Sequence, residues 1–192
     1  MSISEIGKVH LILGAQKSGK SARAEILTNQ WLSQSNKRTA VLVATAQALD
    51  DEMRLKIKKH QDDRALKIPS MQLIEEPTDL GGVVRKHSSP NHLIVIDCLT
   101  IWLTNLLMPH SKLVAVSFED TSAAMDDLLG ALKSARGPVI FVSNEIGMGV
   151  IPMGREIRQF VDELGILNQK IARACDQVTM MIAGVPLVIK GA

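Results

Sequence analysis

Residues 14 to 21 read Gly14-Ala15-Gln16-Lys17-Ser18-Gly19-Lys20-Ser21, a G-x-x-x-x-G-K-S spacing directly after the apolar run Val9-His10-Leu11-Ile12-Leu13. A buried strand, a glycine-bounded loop and a helix start, in that order, form a phosphate cradle, the P-loop. Gly14 and Gly19 let the backbone turn and come close to an anion with no Cβ in the way. Loop amides and the positive end of the following helix then face that anion. Lys20 can reach the terminal phosphates of a nucleoside triphosphate, and the Ser21 hydroxyl suits Mg2+ ligation. The pattern therefore predicts a nucleotide site made by Gly14, Ala15, Gln16, Lys17, Ser18, Gly19, Lys20 and Ser21.

The rest of the chain alternates as that loop requires. Short β-rich apolar runs recur at 9–13, 39–44, 92–96, 138–142 and 178–183, with helical patterns between them. This alternation predicts an α/β fold with a mainly parallel sheet covered on both faces. The helix after the loop is expected to reach residue 33, with Ala22, Ile26, Leu27 and Trp31 turned inward. Asp50 suits the N-cap of a second helix reaching about residue 63, with Met53, Ile57, His60 and Arg64 on one face. Residues 99–108 are apolar almost all round, which predicts burial against the sheet or a neighbouring subunit. Further helices are expected at 117–135 and 155–175. A turn at Gly184-Val185-Pro186 leads into a last strand at 187–190, an antiparallel edge. No repeat or long linker interrupts the pattern, so residues 1–192 are read as one domain.

Composition narrows the partners. The formal charge is +2 with no basic stripe, and aromatic residues make up 3%, so neither phosphate tracking nor base stacking points to nucleic acid. No apolar stretch approaches the roughly 20 residues of a membrane helix. The first residues, Met1-Ser2-Ile3-Ser4-Glu5-Ile6, lack the layout of a secretory signal. Cys98 and Cys175 make neither a disulfide framework nor a metal cluster. A reducing, cytoplasmic location is expected.

Several residues outside the loop carry potential chemistry. Leu93-Ile94-Val95-Ile96-Asp97 places a carboxylate where a buried strand emerges. Asp97 there suits a shared magnesium shell with Ser21 and the phosphates, the alternative being an N-cap for the following helix. His60 stands near Lys56 and Arg64, cations that keep an imidazole neutral and nucleophilic toward an α-phosphorus. A solvated histidine near a helix C-terminus fits the same spacing. Glu75, before Glu76-Pro77, is either an exposed carboxylate or a bidentate grip for the N1 and N2 donors of guanine. Ser143-Asn144-Glu145-Ile146-Gly147-Met148-Gly149 ends a buried strand in a glycine-hinged loop, suited to covering a substrate or to simple connection. Asn168-Gln169, inside the last long helix, fits a subunit contact or a solvated face.

Taken together these segments resemble one family, the bifunctional adenosylcobinamide kinase / adenosylcobinamide-phosphate guanylyltransferases of cobalamin synthesis. The resemblance rests on an ordered set: the P-loop, Ala44-Thr45-Ala46, Asp50-Asp51-Glu52-Met53, Ile57 with His60 and Arg64, Glu75-Glu76-Pro77 and Asp97-Cys98-Leu99-Thr100. It continues through Leu103-Thr104-Asn105-Leu106-Leu107, the 143–149 loop, and Gly165 with Asn168-Gln169.

The resemblance implies a RecA-like P-loop NTPase fold of three layers and an enzyme with two reactions. ATP or GTP phosphorylates adenosylcobinamide. GTP also guanylylates a histidine, which passes GMP to adenosylcobinamide phosphate and yields adenosylcobinamide-GDP. By position, His60 matches the guanylylated histidine, and Lys20 serves both reactions. Ala44, Thr45, Ala46, Gln61, Asp62, Asp63 and Arg64 match segments that contact GTP. Glu75 and Asp97 match acidic positions at the nucleotide site. Mg2+ and a homotrimer are also implied. The chain departs from the family pattern at Ala15, Lys17, Lys56 and Val161, where Gly, Arg, Arg and Arg are usual, and in a longer interval from Arg64 to Glu75.

Overall fold

The computed structural model describes residues 8–48, 51, 54, 55, 58, 62, 66–108 and 118–191. Strands form at Val9–Gly14 (β1), Thr39–Ala44 (β2), Gln72–Glu75 (β3), His92–Asp97 (β4), Val139–Val142 (β5), Gln177–Ile182 (β6) and Val185–Lys190 (β7). Helices form at Lys20–Ser33 (α1), Leu80–His87 (α2), Leu99–Leu107 (α3), Phe118–Ser134 (α4) and Arg155–Ala174 (α5). One 7-stranded sheet runs β3-β2-β4-β5-β1-β6-β7. Every neighbouring pair is parallel except β6 and β7. The α/β fold and its antiparallel last edge are those the alternation predicted.

The central strands read as unbroken apolar runs because both of their faces are covered. Alternate residues divide between two cores. Leu11, Leu13, Val43, Ile96 and Phe141 join the side chains of α2 to α5 on one face. Ile12, Leu42, Val95, Ile140 and Met181 join Ala24, Leu27 and Trp31 of α1 on the other. The helix at 99–107 is buried within its own chain: Leu99, Trp102, Leu103 and Leu106 belong to the first core. The Trp102 indole donates to Thr78 O at 2.7 Å.

Four details differ from the sequence reading. The inward stripe of α1 is Ala24, Leu27, Thr28 and Trp31, whereas Ala22 and Ile26 are exposed. Those four lie at i, i+3, i+4 and i+7, the narrower arc that faces the sheet. The helix α2 was not foreseen, because Gly81-Gly82 argues against one. It forms because Asp79 caps it, accepting from Gly82 N at 2.8 Å. Gly81 also lets α2 come against α4, since a Cβ there would meet the Asp127 carboxylate at 2.0 Å. A strand forms at Gln72–Glu75, beside β2. Finally, the last turn is Ala183-Gly184, with φ of 51° and 83°, so β7 begins at Val185. Paired positive φ values give a two-residue hairpin whose twist matches its strands.

Between β2 and β3, Asp51, Arg54, Leu55, Lys58, Asp62, Leu66 and Lys67 are helical and exposed. The expected cap Asp50 and the expected face of Met53, Ile57, His60 and Arg64 lie outside the described residues.

Candidate functional site

The parallel strands all end at one edge of the sheet, where open α/β folds bind ligands. The loop from β1 to α1 turns there through left-handed backbone at Lys17 (φ 56°) and Gly19 (φ 99°). Such alternation aims successive amides at one concavity, an anion nest. Gly14 is needed for packing as well as for conformation. Any Cβ at this position would lie 2.4 Å from Ser18 Oγ and 2.7 Å from Met181 O. From outside, Gly184 N donates to Ser18 O at 3.0 Å, so the β6–β7 turn braces the loop.

Lys20 is buried and folds back over the loop, its Nζ donating to Ala15 O at 2.7 Å. Burial lowers its pKa, and the nearby Cys98 and Asp97 partly offset that shift. An ammonium held this way gains a better partner when phosphate oxygens arrive. One residue on, Ser21 Oγ donates to Asp97 Oδ2 at 3.0 Å. The N-cap role for Asp97 is not taken up: Cys98 occupies that position, and α3 has no side-chain cap. Among the described residues no cluster of three or more His, Cys, Asp or Glu gathers around one point. Mg2+ on a nucleotide needs no such cage, since one or two protein oxygens plus phosphates and waters complete its shell. The Ser21–Asp97 oxygens are hard donors at hydrogen-bond distance, and they fit that ion.

The β2 terminus lies beside this pair. Ala44 is level with both Asp97 on β4 and Glu75 on β3. Glu75 thus stands two strand spacings, about 10 Å, from Asp97 along the same rim. Glu75 is exposed there. Thr45 is fully buried, and its hydroxyl clasps the Cys98 peptide, accepting from Cys98 N at 2.9 Å and donating to Cys98 O at 2.8 Å. Asn105 Nδ2 holds Thr45 O at 2.8 Å. The Thr45 side chain therefore locks the strand ends together, leaving Ala44 and Ala46, both half-buried, as the faces this segment can show a ligand. Asp62 is helical and exposed. His60, Gln61, Asp63 and Arg64 lie outside the described residues.

The loop after β5 is anchored at its root. Glu145 N donates to Gly14 O at 3.2 Å and Asn144 N to Thr100 Oγ1 at 2.9 Å. Asn168, one of the two amides in α5, is buried rather than solvated. It accepts from Ser143 Oγ at 2.7 Å and donates to Asn144 O at 3.0 Å. Gln169 is exposed. The pairing of Asn168 with Ser143 was not legible beforehand, since nothing in the sequence joins two residues 25 apart. Beyond residue 145 the loop and the flank of α5 enclose a groove of about 570 Å³. No helix among the described residues is long and apolar enough to cross a membrane.

Comparison with known proteins gives concordant results. The family model described as cobinamide kinase / cobinamide phosphate guanyltransferase matches residues 10–189. The chain is 38% identical over 181 residues to the bifunctional adenosylcobalamin biosynthesis protein CobP of Pseudomonas aeruginosa, covering 94% of this chain and 96% of that one. It is 31% identical over 187 residues to the protein CobU of Salmonella typhimurium, covering 94% and 98%. Among solved structures, the flagellar accessory protein FlaH of Methanocaldococcus jannaschii is similar with a TM-score of 0.52 at 13% identity, covering 97% of this chain and 79% of that one. The PH0250 protein of Pyrococcus horikoshii gives 0.54 at 10% identity, with 97% and 87% covered. At such identities the two structures share the fold alone.

Proposed function

Since the chain belongs to the cobinamide kinase / cobinamide phosphate guanyltransferase family, we propose that it runs both reactions at the one nucleotide rim described above. The observation that carries this reading is the Ser21–Asp97 pair beside Lys20 and the phosphate loop. It is the minimal set for holding a triphosphate with its Mg2+.

In the kinase reaction the loop amides and Lys20 hold the β- and γ-phosphates of ATP or GTP. Bound Mg2+ supplies charge neutralisation on the phosphate oxygens. Ser21 and Asp97 fix its position. The hydroxyl of adenosylcobinamide attacks the γ-phosphorus, the bond to the β-phosphate oxygen breaks, and the hydroxyl proton passes to solvent. Lys20 stabilises the charge that gathers on the transferred group.

In the guanylyltransferase reaction an imidazole nitrogen of His60 attacks the α-phosphorus of GTP, and pyrophosphate leaves. A phosphate oxygen of adenosylcobinamide phosphate then displaces the imidazole, giving adenosylcobinamide-GDP and freeing His60. Glu75 selects guanine. Gln61, Asp62, Asp63, Arg64, Ala44 and Ala46 complete the nucleotide contacts. The enzyme works in the cytoplasm, a reading supported by two free cysteines. It works as a homotrimer, a reading supported by β7, whose Val185, Leu187, Val188 and Ile189 are exposed.

Incubation with GTP labelled at the α-phosphate tests the relay. Label should appear on protein, survive alkali and be lost in acid. It should be absent from His60→Ala, which should still phosphorylate adenosylcobinamide. Unlabelled wild-type protein that nevertheless makes adenosylcobinamide-GDP would sink the covalent route. Light scattering at micromolar concentration tests the trimer, and a monomer mass would refute it.

A further inference from the structure

We propose that the groove between the 146–153 loop and α5 is where the corrin ring of cobinamide docks; this rests on the functional reading above. The loop is rooted at the phosphate site, because Glu145 N bonds Gly14 O at 3.2 Å. Beyond the root it turns apolar and outward. Ile146 is 39% exposed, Val150 96% and Ile151 77%, and all three line the groove. Three apolar side chains gathered on one exposed loop mark a binding surface better than a fold requirement.

The loop is propped open from below. Arg158 of α5 donates to Pro152 O at 3.0 Å and to Met153 O. This guanidinium therefore ties the arch to the helix and leaves the space under it unfilled. That space, about 570 Å³, lies in the range of small-molecule sites, roughly 300–1,000 Å³. Its floor is Gly165, where a Cβ would meet nothing within 4 Å. Its polar groups are few. Asp162 has no hydrogen-bond or ion-pair partner among the described residues, and Gln169 is exposed beside it.

A corrin is a broad apolar macrocycle rimmed by primary amides and carrying positive charge at its cobalt centre. Apolar loop residues suit its face, Gln169 suits its amides, and the unpaired Asp162 carboxylate suits both amide N–H groups and the charge.

Two variants test the site. Gly165→Trp fills the groove from an open helical position, and Val150→Lys puts a cation on its apolar wall. Both should raise the KM for cobinamide by at least about tenfold and leave the KM for the nucleotide within about twofold. Equilibrium dialysis with cobinamide alone should show the same loss of binding. Cobinamide binding that survives both variants overturns the groove and leaves the enzyme's reactions standing. A changed assembly mass with cobinamide kinetics intact also overturns it, making the groove a contact between copies. Unaltered protein that binds no cobinamide overturns both readings.

Discussion

Ser21 Oγ lies 3.0 Å from Asp97 Oδ2, a bond that joins the first turn of α1 to the tip of β4 across 76 residues of chain. Each oxygen holds the other in place at the rim. Asp97→Asn keeps an acceptor for Ser21 and removes the charge. It should raise the Mg2+ concentration for half-maximal kinase activity by about tenfold or more, an electrostatic loss of at least about 1.4 kcal/mol. Thermal melting should move by only a few degrees. Unchanged magnesium dependence would remove Asp97 from the ion's surroundings.

Lys20 is buried against the loop carbonyl it bonds. Lys20→Met keeps the length and apolar stem of the side chain and deletes its cation. Loss of a charge aimed at the transferring group should lower kcat about 10²- to 10³-fold in both reactions. Single-turnover rates with saturating nucleotide measure this, and a loss confined to KM would contradict it.

His10 sits in the interior of β1, its Nε2 2.9 Å from Thr179 Oγ1 and its Nδ1 without a partner among the described residues. Burial and then the Arg23 charge push its pKa down from 6.5 to about 4. The folded state therefore refuses a proton that the unfolded chain accepts. Stability is full above pH 6.5 and falls as pH drops toward 4, by about 3 kcal/mol at most from this group. Urea titrations at stepped pH should show that loss, and His10→Gln should flatten the histidine's share of it.

Asn168 fastens the start of the β5 loop through Ser143 Oγ and Asn144 O. Asn168→Ala leaves both groups without that partner in a buried setting, so it should cost about 2 kcal/mol of stability. Calorimetry checks the magnitude, and proteolysis between residues 146 and 153 should speed up. Asn168→Leu, similar in volume, should fail to restore the loop.

Cys175 is buried and Cys98 half-buried. Burial, with Asp97 adding to it, pushes the Cys98 thiol up to about 11, and burial pushes Cys175 up to about 12. Neither should react with a disulfide reagent at pH 8 until the protein is unfolded, because the thiolate is the nucleophile. Rapid labelling of the native protein would show that this region opens.

Local pattern made the strand–loop–helix unit legible, since Gly14, Gly19 and Lys20 owe their identities to one phosphate-binding turn. The carboxylate at the end of β4 was visible in the same local pattern, but its N-cap alternative was removed only by the fold, which puts Cys98 at that position. Contacts that depend on two distant segments were not legible. Asn168 reads as a surface amide until Ser143 is beside it, and Gly81 reads as a helix breaker until the Asp127 carboxylate beside it shows what a side chain there would displace. Thr45 reads as a ligand contact, and the fold gives its hydroxyl to the Cys98 peptide. Sequence spacing reports period and punctuation, whereas these roles come from tertiary neighbours.

The amide of Gly184 holds the carbonyl of Ser18 from outside. That single link makes the outermost strand a lever on the anion cradle. A substitution that displaces the Ala183-Gly184 turn would therefore take away the outer support of the Ser18 carbonyl, although it lies at the border of the sheet.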